Sequence, residues 1–145
     1  MKLALAALLI LLPGTAAQAH GYRFGDLEIT HPAIMVPAVH SDCSCAHVKI
    51  FNHGSQAEYF LGATISAASR THLEQISTDG HGLAMPMRVE IPAGQSLDLT
   101  RHAWCLFMSG ITTSLEADMG VIPGQLIFEN QGTVDIEFMI DAAGH

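Results

Sequence analysis

Apolar and polar residues alternate with a period of two at several places along this chain. Leu27 and Ile29 alternate with Glu28 and Thr30, and Ala46, Val48 and Ile50 alternate with His47 and Lys49. The same spacing recurs in Tyr59, Leu61, Ala63 and Ile65, in Leu97 and Leu99, and in Leu126 and Phe128. It is longest in Val134, Ile136, Phe138 and Ile140, which face away from Asp135 and Glu137. Successive side chains of a strand point to opposite faces, so each run predicts a half-buried strand. Turn formers separate the runs: Asn52-His53-Gly54, Asp79-Gly80-His81-Gly82, Pro92-Ala93-Gly94 and Asn130-Gln131-Gly132. Their spacing suits an antiparallel sandwich or barrel. Thr112 to Met119 has room for one short helical turn, and no stretch carries a sustained helical period. No repeat, linker or low-complexity segment divides the chain, so one all-β domain is expected.

The first nineteen residues are of another kind. Lys2 precedes the apolar run Leu3 to Leu12, followed by Pro13-Gly14 and by Ala17-Gln18-Ala19. This reads as a secretory signal peptide over residues 1–19, cleaved after Ala19, with the functional domain over residues 20–145. Its apolar core is too short to span a bilayer, and no later segment reaches the roughly eighteen apolar residues a span needs. No cysteine follows the run at a place that suggests lipid anchoring. A soluble exported protein is the expectation.

Charge and composition narrow the partners. Of 145 residues, removal of nineteen leaves 126 (145 − 19), with five Lys and Arg (six less Lys2) against fourteen Asp and Glu. The resulting charge of −9, with His neutral, argues against nucleic acid and against anionic lipid as partners. The same segment holds nine His, six Met and three Cys but a single lysine, Lys49. Eighteen soft or borderline donors tilt the reading toward copper or zinc. Catalysis is not expected, since there is no Gly-x-Ser-x-Gly elbow, phosphate loop, Cys-x-x-Cys pair or paired carboxylate motif.

Three groups carry candidate metal chemistry. His72, Met85, Met87 and Cys105 combine imidazole, thioether and thiolate, the donors that soft Cu(I) prefers, and His81 shares the loop of Met85. The same methionines flank Pro86 and also suit a plain role, covering the end of a sandwich. The second group is Cys43, Cys45 and His47, on one side of an extended strand, where a Cu(I), Cu(II) or Zn(II) ion could be held. Three cysteines equally allow one disulfide and a remaining thiol, Cys105 pairing with Cys43 or Cys45. A Cys43–Cys45 bond is disfavoured, because residues two apart in a strand lie ~7 Å apart at Cα. Third, cleavage after Ala19 exposes the α-amine and imidazole of His20, a bidentate pair for Cu(II), although a short tail is more often simply undocked. His31, His53, His102 and His145 have no pattern of their own.

Four stretches, Gly25-Asp-Leu-Glu-Ile-Thr-His-Pro32, Val48-Lys-Ile-Phe-Asn-His-Gly54, Ile91-Pro-Ala-Gly-Gln-Ser-Leu-Asp-Leu99 and Leu126-Ile-Phe-Glu-Asn-Gln-Gly132, carry a resemblance of the chain, from Gly25 onward, to the periplasmic copper chaperone family PCu(A)C. It implies a cupredoxin-like antiparallel β-sandwich of Greek-key type with copper ligands at one end. The family motif is His-x10-Met-x21-His-x-Met. His72 matches its first member, while the count reaches Cys105 at the second histidine and Phe107 at the last methionine. The first methionine falls on Leu83, with Met85 and Met87 two and four residues beyond. Two of four ligands are therefore changed, and strand alternation puts Cys105 and Phe107 on the face opposite Trp104, Leu106 and Met108.

The resemblance implies a periplasmic protein that binds Cu(I) and delivers it to an exported acceptor, such as the copper centre of a respiratory oxidase. The residues expected to hold the ion are His72, Met85 or Met87, and Cys105. A thiolate among them shifts the balance from donation toward storage. Two other readings remain open: a disulfide-stabilised β-sandwich acting in protein interaction without metal, and a Zn(II) or Cu(II) binder built on Cys43, Cys45 and His47.

Overall fold

The computed structural model describes residues 21–36, 42–76, 83–100, 103–112, 115 and 120–141. Among these described residues eleven strands are found: β1 (Gly21–Phe24), β2 (Leu27–Met35), β3 (Cys43–Asn52), β4 (Glu58–Ile65), β5 (Ala68–Ile76), β6 (Leu83–Ala84), β7 (Val89–Ile91), β8 (Ser96–Asp98), β9 (Trp104–Ile111), β10 (Val121–Phe128) and β11 (Gly132–Asp141). Among the described residues there is no helix. Most of the Thr112–Met119 stretch, together with His20 and His81, lies outside them.

The strands hydrogen-bond in the order β6-β5-β9-β3-β2-β11-β10-β4-β7, with β1 added to β2 and β8 added to β3. β4 and β5 are joined by the turn Ser66-Ala67, yet five strands lie between them in this order. The sheet therefore curls strongly upon itself, and the turn carries the chain from one layer to the other. Hydrogen bonds from Ser66 N to Pro123 O (3.0 Å) and from Thr112 N to Ala67 O (2.9 Å) close this corner.

The inner faces enclose one apolar core, and in most strands it is the set that alternation marks. Leu27 and Ile29 of β2, Ala46, Val48 and Ile50 of β3, Leu126 and Phe128 of β10, and Val134, Ile136, Phe138 and Ile140 of β11 are all buried. Leu97 and Leu99 are buried as well, and Phe60 meets Phe128 with ring centroids 5.6 Å apart. Burial of this many large aliphatic and aromatic side chains is the main driving force for the fold.

Two departures from plain alternation have local causes. In β4 the inward residues are Phe60, Ala63 and Ile65, whereas Leu61 is exposed and Tyr59 half-buried, contrary to the expected set. The β4–β10 register slips where Phe60 faces Phe128 but Gly62 faces Ile127, so Leu61 is an extra residue. Such a bulge shifts every later side chain by one face, and Gly62, with φ of +145°, supplies the backbone freedom it needs. In β2 the register with β3 shifts between Thr30 and Ala33, and His31 takes φ of +55°. Past this bulge Pro32 and Ile34 point inward. β11 pairs with β2 in parallel, in a sheet otherwise antiparallel.

Two buried polar side chains brace the turns at one end. Glu58 accepts hydrogen bonds from Tyr59 N (2.8 Å) and Asn130 N (2.9 Å) at Oε1, and from Gln131 N (2.9 Å) at Oε2. Asn52 donates from Nδ2 to Gln56 O (2.7 Å) and Ile91 O (3.0 Å) and accepts from Gly54 N at Oδ1 (2.9 Å). Each buried group finds partners, as burial requires.

Candidate metal site

β5, β9 and β3 lie side by side, and their outer face brings together most of the residues singled out by sequence. Leu73, Leu106, Met108, Ala46 and Val48 point into the core, so their strand neighbours His72, Glu74, Cys105, Phe107, Cys45 and His47 share the opposite face. His72 lies opposite Phe107 and Glu74 opposite Cys105, while Phe107 lies opposite Cys45 on its other side. The motif positions at 72, 105 and 107 are thus neighbours in space.

His72 is held by two contacts. It donates from Nε2 to Glu74 Oε1 at 2.7 Å, and its ring meets that of Phe107 with centroids 5.3 Å apart. A carboxylate can only accept, so this bond places the imidazole proton on Nε2 and leaves the Nδ1 lone pair for another partner. The carboxylate and histidine form the arrangement by which a metal-ligating imidazole is oriented. Sequence reasoning did not single out Glu74, although His-x-Glu on a strand puts both side chains on one face.

β6 pairs with β5, Ala84 opposite Gln75 and Leu83 opposite Ile76, so part of the segment read as a loop is an edge strand. Directly after it come Met85 and Met87, with relative exposures of 67% and 91%. The two thioethers stand in solvent at the edge next to the strand that carries His72. Methionines that merely close the end of a sandwich would be packed, and these are not.

The cysteines are arranged differently from the expected ligand sets. Cys45 and Cys105 form a disulfide between β3 and β9, with Cα atoms 5.4 Å apart, one of the pairings the odd cysteine count allowed. Cys105 is 3% exposed. In the bonded state neither sulfur is a thiolate, so Cys105 does not contribute a donor beside His72. The same bond removes Cys45 from the Cys43, Cys45, His47 group. His47 donates from Nδ1 to Leu99 O at 2.9 Å, and Cys43 lies outside the disulfide, opposite Ser109. Among the described residues no three of His, Cys, Asp and Glu converge to hold a metal ion. Cys43, Cys45 and His47 share a face, as the strand period demands, without forming a closed site.

At the other end of the chain, β1 begins at Gly21 and pairs with β2, so the segment following His20 is docked from its next residue onward. Beside it Glu28 accepts from His53 Nε2 at 2.5 Å and lies 3.8 Å from Arg23. The His53 hydrogen bond, foremost, holds the Glu28 carboxyl below the usual carboxylate range, aided by the charges of His53 and Arg23. Among the described residues no helix is long and apolar enough to cross a membrane.

The curled, all-β sheet defines a cupredoxin-like β-sandwich. More narrowly, the chain has the fold of PCuAC domains. It is similar to an apo PCuAC domain from PmoF1, with a TM-score of 0.74 and 23% identity over 85% of this chain and 99% of that one. A copper-bound PCuAC domain from PmoF2 superposes with a TM-score of 0.73 at 15% identity, covering 85% and 98% of the two chains. The Cu(I) form of DR1885 from Deinococcus radiodurans gives 0.61 at 18% identity, covering 88% and 85%. No family model and no curated protein sequence matches the chain.

Proposed function

We propose that this protein is a divergent PCuAC copper chaperone that binds Cu(I) through His72, Met85 and Met87 and passes it to an exported acceptor. The copper centre of a respiratory oxidase is the acceptor the family resemblance implies. The observation that carries this reading is the exposure of Met85 and Met87 directly after the edge strand paired with the His72 strand. One imidazole and two thioethers suit Cu(I), which accepts few ligands in loose geometry. Donors on an open edge also suit delivery, because an acceptor's ligands can replace them one at a time. The similarity to copper-bound PCuAC domains supports copper as the cargo. Export through residues 1–19 and action in the periplasm belong to the same proposal.

The test is competition for Cu(I) between the exported protein and a chromophoric chelator. One ion is expected per chain, with His72→Ala and the pair Met85→Leu and Met87→Leu each weakening binding on the order of tenfold or more, about 1.4 kcal/mol per tenfold. Unchanged affinity in both variants would remove this site. Transfer is then read by mixing the copper-loaded protein with an apo acceptor and following the acceptor's copper absorbance.

The Cys45–Cys105 bond favours a second reading, a disulfide-stabilised sandwich acting in protein interaction without metal. Elemental analysis of the protein purified after export separates the two. Copper in the purified protein supports the chaperone, and a metal-free protein that fails the titration supports the interaction module.

A further inference from the structure

We infer that the Cys45–Cys105 disulfide is the closed form of a second copper site: reduction opens a two-sulfur Cu(I) site on the outer face beside His72. This rests on the reading of copper as the cargo. The two sulfurs come from adjacent strands of a rigid sheet, with Cα atoms 5.4 Å apart. Taking a metal–thiolate bond of about 2.3 Å, a linear site needs sulfurs roughly 4.6 Å apart. Rotation about the two Cα–Cβ bonds reaches that separation without moving either strand, since staggered rotamers swing a sulfur by several ångströms. Phe107, opposite both Cys45 and His72, lies between them on the same face.

Glu74, opposite Cys105, is engaged by His72, and among the described residues no three of His, Cys, Asp and Glu converge to hold a metal ion, which bears on which metal fits. Zn(II) takes four ligands in its structural sites, whereas soft thiolates select Cu(I). A bare pair of thiolates therefore favours Cu(I). It also binds more strongly than a histidine with two thioethers, so the reduced protein carries a tighter station next to the exposed one.

Opening follows ordinary thiol–disulfide exchange with a dithiol reductant. One thiolate of the reductant attacks Sγ of Cys45, the half-buried partner, and Cys105 leaves as a thiolate. The second thiol of the reductant then displaces Cys45, leaving two protein thiols and an oxidised reductant. Entry of one Cu(I) releases two protons. The reverse exchange with a partner disulfide restores the Cys45–Cys105 bond, reduces that partner and expels Cu(I) unchanged in oxidation state.

The experiment compares the exported protein as isolated with the same protein reduced by a phosphine, which is removed under nitrogen before titration. Cu(I) affinity is read against a chromophoric chelator, and in parallel the reduced protein is alkylated with and without Cu(I) and mapped by mass spectrometry. The reduced form should bind on the order of a hundredfold more tightly, a shift of two decades in the competition curve. Cu(I), but not Zn(II), should protect Cys45 and Cys105 from alkylation. Cys43→Ser should retain the difference. Equal affinity of the two forms, unprotected Cys45 and Cys105, or loss of the difference in Cys43→Ser each overturns the inference. Copper binding by the reduced form alone upholds it while overturning the His72, Met85, Met87 site, and binding by neither form overturns both. Alkylation mapping uses the unaltered chain, so the outcome does not depend on a cysteine variant folding.

Discussion

His72 and Phe107 face each other across the β5–β9 pair, with ring centroids 5.3 Å apart. In the PCu(A)C motif the position of Phe107 belongs to a methionine. In the proposed site an aromatic ring therefore stands where a thioether would reach a metal held by His72. Phe107→Met is expected to restore that donor and raise Cu(I) affinity on the order of tenfold. Chelator competition at fixed pH measures it, and an affinity equal to or below that of the unaltered protein counts against a metal at His72.

Glu74 orients the His72 ring through a 2.7 Å bond. Glu74→Gln can turn its amide NH₂ toward Nε2 and stabilise the other tautomer, which takes the lone pair away from Nδ1. Partners of this kind typically contribute a factor of about 10–100 in metal affinity. The variant should lose Cu(I) affinity in that range with an unchanged melting curve. Retention of full affinity would show that the carboxylate is merely a neighbour.

The Cys45–Cys105 bond joins residues separated by 60 positions. Closing a loop of that size stabilises the folded chain by about 2–4 kcal/mol, chiefly by restricting the unfolded ensemble. Reduction should lower the urea midpoint accordingly while leaving the β-sheet circular dichroism spectrum in place. Collapse of that spectrum without denaturant would mean that the apolar core does not hold the sheet unaided.

Glu58 spends its carboxylate on three backbone N–H groups, one from its neighbour Tyr59 in β4 and two from the β10–β11 turn. Glu58→Gln puts an amide donor against one of those donors in a buried place. A loss of about 2 kcal/mol is expected, the scale of an unsatisfied buried group. Equilibrium denaturation checks it, and a cost below a few tenths of a kcal/mol would mean that water replaces the carboxylate there.

Glu28 gives a pH-dependent signature. Its carboxyl is held below the ordinary value of 4.5, first by the hydrogen bond from His53 and then by the His53 and Arg23 charges. A depressed pKa contributes stability that is present above the ordinary carboxylate pKa and is lost as pH falls through the lowered one. In His53→Ala the Glu28 carboxyl should titrate closer to 4.5, followed by NMR of its side-chain carbon. Titration at the same pH in both proteins would assign the shift elsewhere.

Much of the fold was legible in the residues alone because strand burial is local. The alternation of Val134 to Ile140 against Asp135 and Glu137 needs no partner to define its inner face, and the same holds for Ala46, Val48 and Ile50. That positions 72, 105 and 107 are neighbours followed from the spacing of the motif of the resembled family, and the β5–β9 register brings them together. What spacing could not supply was decided by register between distant strands. The Leu61 bulge in β4 exists only relative to β10, so the alternating pattern put Tyr59 and Leu61 inside where Phe60 belongs. The parallel pairing of β11 with β2 joins segments far apart in the chain. The choice between Cys43 and Cys45 as partner of Cys105 rests on the β3–β9 register, which sets Cys43 opposite Ser109 and Cys45 opposite Phe107, two residues from Cys105. That register decides whether Cys105 is a thiolate or half of a disulfide. Period-two alternation assigns a side chain to a face, but which side chain meets it across the sheet depends on how far one strand slides along another, and only the packed core determines that.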